Sequence, residues 1–271
     1  MKLNIVPART GAQWVREGVR LFFRQPLALA GLFVMFIAAS TVLSMLPLVG
    51  EVLALGLVPA AMVGLMAAAR EVHEGRFPMP SIMVTAFRQS PVKTRAMLAL
   101  GLLYALAVML IVALAAALDD GQLRALLAKH GDSITPELMN DPALQQAARA
   151  SARQMLVSSL LLLPVSVLFW HAPALVHWHG VSVGKSLFFS AVGVLRNTGA
   201  YLIYGMGWIT VSMLSWMALL LIAGLLGNLG LALSGLLPVS VMIAAMISAS
   251  LWATFRDSFL ADDDAAATPA P

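Results

Sequence analysis

Long apolar runs alternate along the chain with short polar segments that carry most of its charge. Six runs are long enough to cross a bilayer as helices, which takes about 20 apolar residues each. They are continuously apolar, unlike the alternating strands of a membrane β-barrel. The pattern predicts an all-α transmembrane helical bundle with spans at residues 27–46, 48–69, 96–118, 155–176, 199–226 and 236–255.

The composition supports this class. The 271 residues are 60% hydrophobic and 11% charged, whereas soluble domains carry roughly 25% charged residues. Cysteine is absent, which excludes disulfides, thiolate nucleophiles and Cys-ligated metals. In a membrane protein, a net charge of +4 indicates contact with anionic headgroups. We therefore expect membrane lipids as partners and no nucleic acid.

Residues 1–258 are predicted to form a single transmembrane domain, followed by a disordered cytoplasmic tail at 259–271. An acidic outer loop at 119–153 separates the third and fourth spans. Within it, Thr135-Pro136 and Asp141-Pro142 have the form of an N-cap followed by proline at the first helical position. We expect two or three short helices there, which either cap the bundle or bind a partner; capping is the favoured interpretation.

Lysine and arginine set the predicted orientation, because cytoplasmic loops are enriched in both. With both termini inside, 13 of the 17 cationic residues lie on the cytoplasmic side. The first apolar run begins only after a long polar lead, so a cleaved signal peptide is not expected.

An internal repeat organises the spans. Residues 162–167 recur unchanged at 236–241. An amphipathic segment precedes each odd span (11–24, 80–89 and 181–196), and each even span carries a proline. This predicts three parallel hairpins, each led by a cytoplasmic interfacial helix. The first such helix is basic and is expected in the headgroup plane; a partner-docking helix is the alternative.

Three histidines form the most conspicuous candidate chemistry. His171, His177 and His179 crowd the inner end of the fourth span beside Trp170 and Trp178. Their spacing differs from the i, i+4 pair of helical zinc sites. An aromatic and imidazole belt at the headgroups is therefore favoured over a metal or pH-sensing site. No cofactor is expected.

Phosphate-binding loops, hydrolase elbows and paired intramembrane aspartates are missing from the sequence, so no catalytic residue is assigned and an enzyme is the least favoured class. Ionisable residues at membrane depth indicate function by default, and Glu51 is one, although an acid in the first turn of a helix is also favoured by the dipole.

Two functions remain open. The first is a non-enzymatic, lipid-facing scaffold or accessory subunit, with a protein partner or a second copy of the chain as further partners. The alternative is a transporter of a small or lipid-like substrate through a cavity between spans two, four and six. The residues expected to line that cavity are Glu51, Pro59, Pro164, Ser166, Pro238 and Ser240.

Three features also carry a resemblance: Phe23-Arg24-Gln25-Pro26 before span one, Arg196-Asn197 before span five, and the prolines of the even spans. The chain resembles uncharacterised six-span inner-membrane families of proteobacteria. It is distantly similar to the membrane domain attached to some glycerophosphodiester phosphodiesterases, without their catalytic domain. The resemblance implies a bacterial inner membrane and supplies no site residues.

Overall fold

The computed structural model describes residues 2–118, 121–130 and 141–260, most of them helical. Besides a 3₁₀ helix at Pro80–Phe87, the elements are β1 Lys2–Leu3, α1 Thr10–Arg24, α2 Pro26–Ser44, α3 Gly50–His73, α4 Pro91–Leu118, α5 Gln122–His130, α6 Pro142–Phe169, α7 Ala172–His179, α8 Val183–Arg196, α9 Thr198–Leu225, α10 Leu229–Ser258 and β2 Phe259–Leu260.

The six predicted spans are confirmed as α2, α3, α4, α6 with α7, α9 and α10, each long and apolar enough to cross a membrane. Several observed helices run beyond a predicted end, because polar first or last turns continue the helix, whereas α2 ends at Ser44, two residues before its predicted limit. Span three, for example, begins at Pro91 and not at residue 96.

The fourth span departs most from its predicted limits of 155–176. Asp141 caps α6 by accepting a hydrogen bond from the Ala143 amide at 2.8 Å, with Pro142 in the first turn. The cap at Asp141 is thus confirmed, but residues 142–153 extend the span and do not form a separate loop helix. Thr135-Pro136 lies outside the described residues. At its other end the span breaks at Trp170–His171 and resumes as α7.

Helix α3 is the centre of the bundle. Half of its most apolar window is buried, against 28% or less in each other span. It packs against α2, α4 and α10, while α6 packs against α4 and α8. Helices α6 and α9 make at most marginal contact, so the ring of spans is open between them.

The helices that lead the three hairpins pack in a cyclic order. The 3₁₀ helix leads the second hairpin and packs on α3 of the first. Helix α8 leads the third and packs on α6 and α7 of the second. Helix α1 leads the first and packs on α9 and α10 of the third. Each leader therefore contacts the hairpin before it, as a threefold parallel repeat requires.

The two ends of the described chain meet. Lys2 pairs with Leu260 and Leu3 with Phe259 in a short antiparallel ladder. The prediction of a disordered tail from residue 259 is thus wrong for Phe259 and Leu260, because the N-terminal segment supplies backbone partners. Residues 261–271 lie outside the described residues. We call the end of the bundle that carries β1, β2, α1 and α8 the basic end.

Candidate functional site

Helix α1 is seated in a groove between α9 and α10 at the basic end, and two glycines allow this close approach. A Cβ on Gly11 would lie 2.0 Å from the Ala200 carbonyl oxygen, and one on Gly18 would lie 2.6 Å from Ser250 Cβ. Val15, Leu21 and Phe22 on the same face are buried. The apolar face of α1 therefore packs on the protein itself, whereas its position in the headgroup plane stays a prediction.

Trp14 fixes the position of α1. Its ring is fully buried against Tyr201 and Tyr204, with centroids 5.2 and 6.0 Å away. Its indole Nε1 donates a hydrogen bond to Asp257 Oδ2 at 2.9 Å. A buried indole needs such an acceptor, so this bond joins the first helix to the end of the last.

A charged cluster lies one turn further along α1. Glu17 accepts two hydrogen bonds from Arg256, from Nη1 at 2.8 Å and Nη2 at 3.0 Å. His73 Nδ1 lies 3.1 Å from the same carboxylate, and Arg256 Nε donates to Asp257 Oδ1 at 2.8 Å. The two parallel hydrogen bonds between Arg256 and Glu17 fix the geometry of this ion pair. Together with His73, the cluster joins α1, α3 and α10.

Beside this cluster lies the basic groove, an open cavity of about 440 Å³. Arginines 16, 20 and 24 of α1 line it at one-turn spacing, and all three are exposed. Within the described residues none of them has an acidic partner. The rest of the lining is Gln13, Glu17, Leu21, His73 and Arg256, so the groove carries a clear excess of positive charge.

An aromatic cavity of about 700 Å³ lies on the other side of Arg256. Trp178 packs there against Trp252 and Phe255, with centroids 5.2 and 5.3 Å apart. Arg70 lies over the Trp252 ring, 5.4 Å from its centroid. The other lining residues are Asn4, Val6, Thr10, His179, Arg256, Asp257 and Phe259.

The charges of the aromatic cavity are already paired. Arg70 Nε donates to Glu74 Oε1 at 2.9 Å, and this hydrogen bond holds the pKa of Glu74 below its usual value. Arg76 binds the same carboxylate. Because Arg256 and Asp257 also bind each other, this cavity presents aromatic faces and little net charge.

The histidines do not form the predicted headgroup belt. His171 is fully buried and shares a hydrogen bond with the Tyr201 hydroxyl. His177 is also buried, with its Nε2 3.0 Å from Gln89 Nε2. His179 lies against Phe255 at the aromatic cavity. His171 is covered by Phe255 and Phe259, and His177 is covered by Gln89 and Lys93 near the start of α4.

The three histidines therefore have three different surroundings. Across residues 2–118, 121–130 and 141–260, no group of three or more side chains is placed to hold a metal ion.

Of the six residues expected to line a transport cavity, Pro59 is buried in α3, whereas Glu51, Pro164, Ser166, Pro238 and Ser240 are exposed. That they line a common cavity stays a prediction. Helix α4 packs against both α3 and α6, and α7 of the fourth span packs directly on α3.

Sequence reasoning missed Asp257, Arg256 and Asn197 as organising residues. Asn197 is buried, accepts from the Val6 amide at 2.8 Å and donates to the Asn4 carbonyl at 3.0 Å. The sequence contained only a local signal: Asn197 precedes an apolar helix, and Arg256-Asp257 lie at the end of another. Their partners lie at the far end of the chain and leave no local pattern.

Comparison with known proteins gives one informative match. The chain is 36% identical over 261 residues to a protein of Burkholderia thailandensis described as a probable inner membrane protein, covering 96% of this chain and 94% of the relative. No protein-family model matches, and no solved structure does either. These comparisons agree with the resemblance to proteobacterial inner-membrane proteins and do not support the link to glycerophosphodiester phosphodiesterases.

Proposed function

The chain belongs to the family of this probable inner membrane protein, and from that premise we propose that it is a non-enzymatic, lipid-facing scaffold or accessory subunit. As a multi-pass protein of the inner membrane with six apolar spans, it would present its outer surface to lipid. Its basic end would hold the parts that contact other molecules.

One observation supports this proposal: the spans expose many large apolar side chains, and five of the six residues expected to line an interior path are exposed as well. Leu163 beside Pro164 and Leu237 beside Pro238 are 58% and 72% exposed. A surface of this kind is stable in hydrocarbon but not in water. The polar side chains with long-range partners cluster instead at the basic end, where they hold elements together.

We further propose that the basic end lies in the cytoplasm. Ten of the 17 arginines and lysines lie in α1, between residues 70 and 95, or in α8. The enrichment of cytoplasmic loops in such residues supports this orientation. Because β1 pairs with β2 at the basic end, the proposal puts both ends of the described chain in the cytoplasm.

The absence of cysteine permits a direct test of the scaffold. Single variants Ser166→Cys and Ser240→Cys, in inner-membrane vesicles, would be treated with a water-soluble, membrane-impermeant maleimide. We expect both to stay unlabelled, because each side chain faces lipid. The control Ser182→Cys, exposed in the loop before α8, should label in inside-out vesicles and not in right-side-out ones.

Labelling of both Ser166→Cys and Ser240→Cys would sink the scaffold and favour a transporter with a water-filled cavity. Co-purification in mild detergent completes the test: a scaffold or accessory subunit should retain a protein partner or a second copy of the chain. A bare monomer that catalyses substrate flux in vesicles would contradict it.

A further inference from the structure

We propose that the basic groove binds the headgroup of an anionic phospholipid from the leaflet at the basic end. This inference rests on the proposed lipid-facing function and sharpens it, since it names the class of lipid and the residues that select it. Three features carry it: a fixed row of free arginines, an acid that is already occupied, and an apolar surface at the membrane end of the row.

The arginines form a fixed row. Residues 16, 20 and 24 follow at i, i+4 and i+8, so they share one face of α1 and rise about 6 Å per step. The opposite face is locked by Trp14 and by the close contact of Gly18 with α10. The helix therefore cannot roll, and its guanidinium groups are presented toward one side over roughly 12 Å.

Glu17 is the one acidic residue among the described lining residues of the groove, and its carboxylate is already paired. Both carboxylate oxygens of Glu17 accept hydrogen bonds from Arg256, and His73 lies against one of them. The donors of the three row arginines consequently stay available to a ligand. Arginine binds phosphate through paired, charge-assisted hydrogen bonds, so a phosphate is the chemistry that this row fits.

The position of the row distinguishes a lipid from a free anion. Arg24 is separated from Pro26, the first residue of the first span, by a single residue. Phe23 is 62% exposed and Leu27 is 89% exposed beside it. Arginines at headgroup level with apolar side chains directly below match a phosphate joined to acyl chains. A free phosphate or an acidic peptide would have no acyl chain to cover the exposed apolar side chains of Phe23 and Leu27.

The neighbouring aromatic cavity lacks this complementarity. Its arginines are neutralised by Glu74, Glu17 and Asp257, and no unpaired cation among its described lining residues would attract an anion. The two cavities share Arg256, but only the basic groove combines free positive charge with an exposed apolar edge.

The test is lipid binding to the full chain. Wild-type protein and an Arg16→Gln/Arg20→Gln/Arg24→Gln variant would be delipidated in neutral detergent and titrated with phosphatidylglycerol or phosphatidylcholine, with binding followed by native mass spectrometry. We expect preferential binding of phosphatidylglycerol to the wild type. The variant should bind it at least tenfold more weakly, since each arginine near an anionic surface contributes about fivefold.

A matched control removes the same charge elsewhere. Arg88, Arg95 and Arg196 are also exposed at the basic end but lie outside the groove, so their triple glutamine variant should stay within about threefold of the wild type. Both variants should keep the wild-type melting temperature, because all six arginine side chains are exposed and none has an ion-pair partner among the described residues.

Three results would overturn the proposal. They are equal affinity in the groove variant and the wild type, equal binding of phosphatidylcholine, and displacement of phosphatidylglycerol by millimolar inorganic phosphate, which would indicate a small-anion site. Failure here is distinguishable from failure of the scaffold, because maleimide labelling at Ser166→Cys and Ser240→Cys does not involve α1.

Discussion

At the scale of single residues, His171 shows how burial changes the meaning of a histidine. In the sequence it belongs to a group of three with a metal site as one interpretation. In the structure it is enclosed at the break between α6 and α7, where its amide donates to Ser190 Oγ at 2.9 Å and its Nε2 meets the Tyr201 hydroxyl. Its contacts are those of a residue that joins α6, α8 and α9.

This role gives a stability prediction. Tyr201→Phe removes the hydroxyl and leaves a buried imidazole nitrogen without its partner, which costs about 1–3 kcal/mol of unfolding free energy. Chemical unfolding of the purified protein in detergent would measure it. The control is Tyr104→Phe, since Tyr104 packs its ring on Phe169 with centroids 5.1 Å apart and its hydroxyl has no hydrogen-bond partner among the described residues. Equal losses in both variants would contradict the prediction.

The sequence could not predict which distant residue each side chain of the site would contact. The amphipathic pattern of residues 11–24 predicted one apolar face, on which Trp14, Val15, Gly18 and Phe22 are buried, whereas Phe23, also placed on that face by its spacing, is 62% exposed. The acceptor of the Trp14 indole is Asp257, 243 positions away. Periodicity describes which side of a helix is buried and contains no information about which helix covers it.

At the scale of elements, the leader helices carry the repeat. The sequence predicted three amphipathic leaders in about the right places, and the structure has them as α1, the 3₁₀ helix and α8. What it could not predict is their cyclic docking, each on the preceding hairpin. That arrangement depends on small residues that permit backbone contact, and a glycine in an apolar segment has many other uses.

The seat of α1 can be tested at Gly18. An added methyl group there would meet the Met246 carbonyl oxygen at 2.7 Å as well as Ser250. We expect Gly18→Ala to lower the free energy of unfolding by about 1–3 kcal/mol. It should also loosen α1, so that trypsin can cleave the backbone after Arg16 and Arg20. Limited proteolysis followed by mass spectrometry would show both new cleavage sites.

Gly31→Ala in α2 is the matched control. No atom lies within 4 Å of a Cβ at that position, and alanine is the better helix former by about 0.5–1 kcal/mol. This variant should therefore be at least as stable as the wild type. If Gly18→Ala resists trypsin as well as Gly31→Ala does, helix α1 is not seated as the structure shows.

At the scale of the whole molecule, the membrane class and the number of spans could be predicted, because the bilayer imposes a length and an apolar composition on each helix. The order of the spans in space could not, since lipid and protein neighbours are equally apolar. Residues 162–167 and 236–241 are identical in sequence, yet they lie on α6 and α10, which have different neighbours.

The joined chain ends give a prediction at this scale. Asn197→Ala removes the bonds to Val6 and Asn4, so the segment before α1 should detach and trypsin should cleave faster after Arg9. We expect the cleavage rate to rise about fivefold or more, which corresponds to a loss of roughly 1 kcal/mol in the free energy that holds this segment in place. The control variant Asn228→Ala, in the turn between α9 and α10, should leave the cleavage rate unchanged. A faster rate in both variants would contradict a specific role of Asn197 in holding the N-terminal segment.

The seat of α1 also sets an order of assembly. Ribosomes make α1 before α9 and α10, and the groove that receives α1 is complete only once those two helices have been made. Until then, the buried face of Trp14, Leu21 and Phe22 has no protein to cover it, and a basic amphipathic helix in that state rests on the leaflet. We therefore expect α1 to lie on the leaflet in the nascent chain and to enter its groove only after α9 and α10 have been inserted.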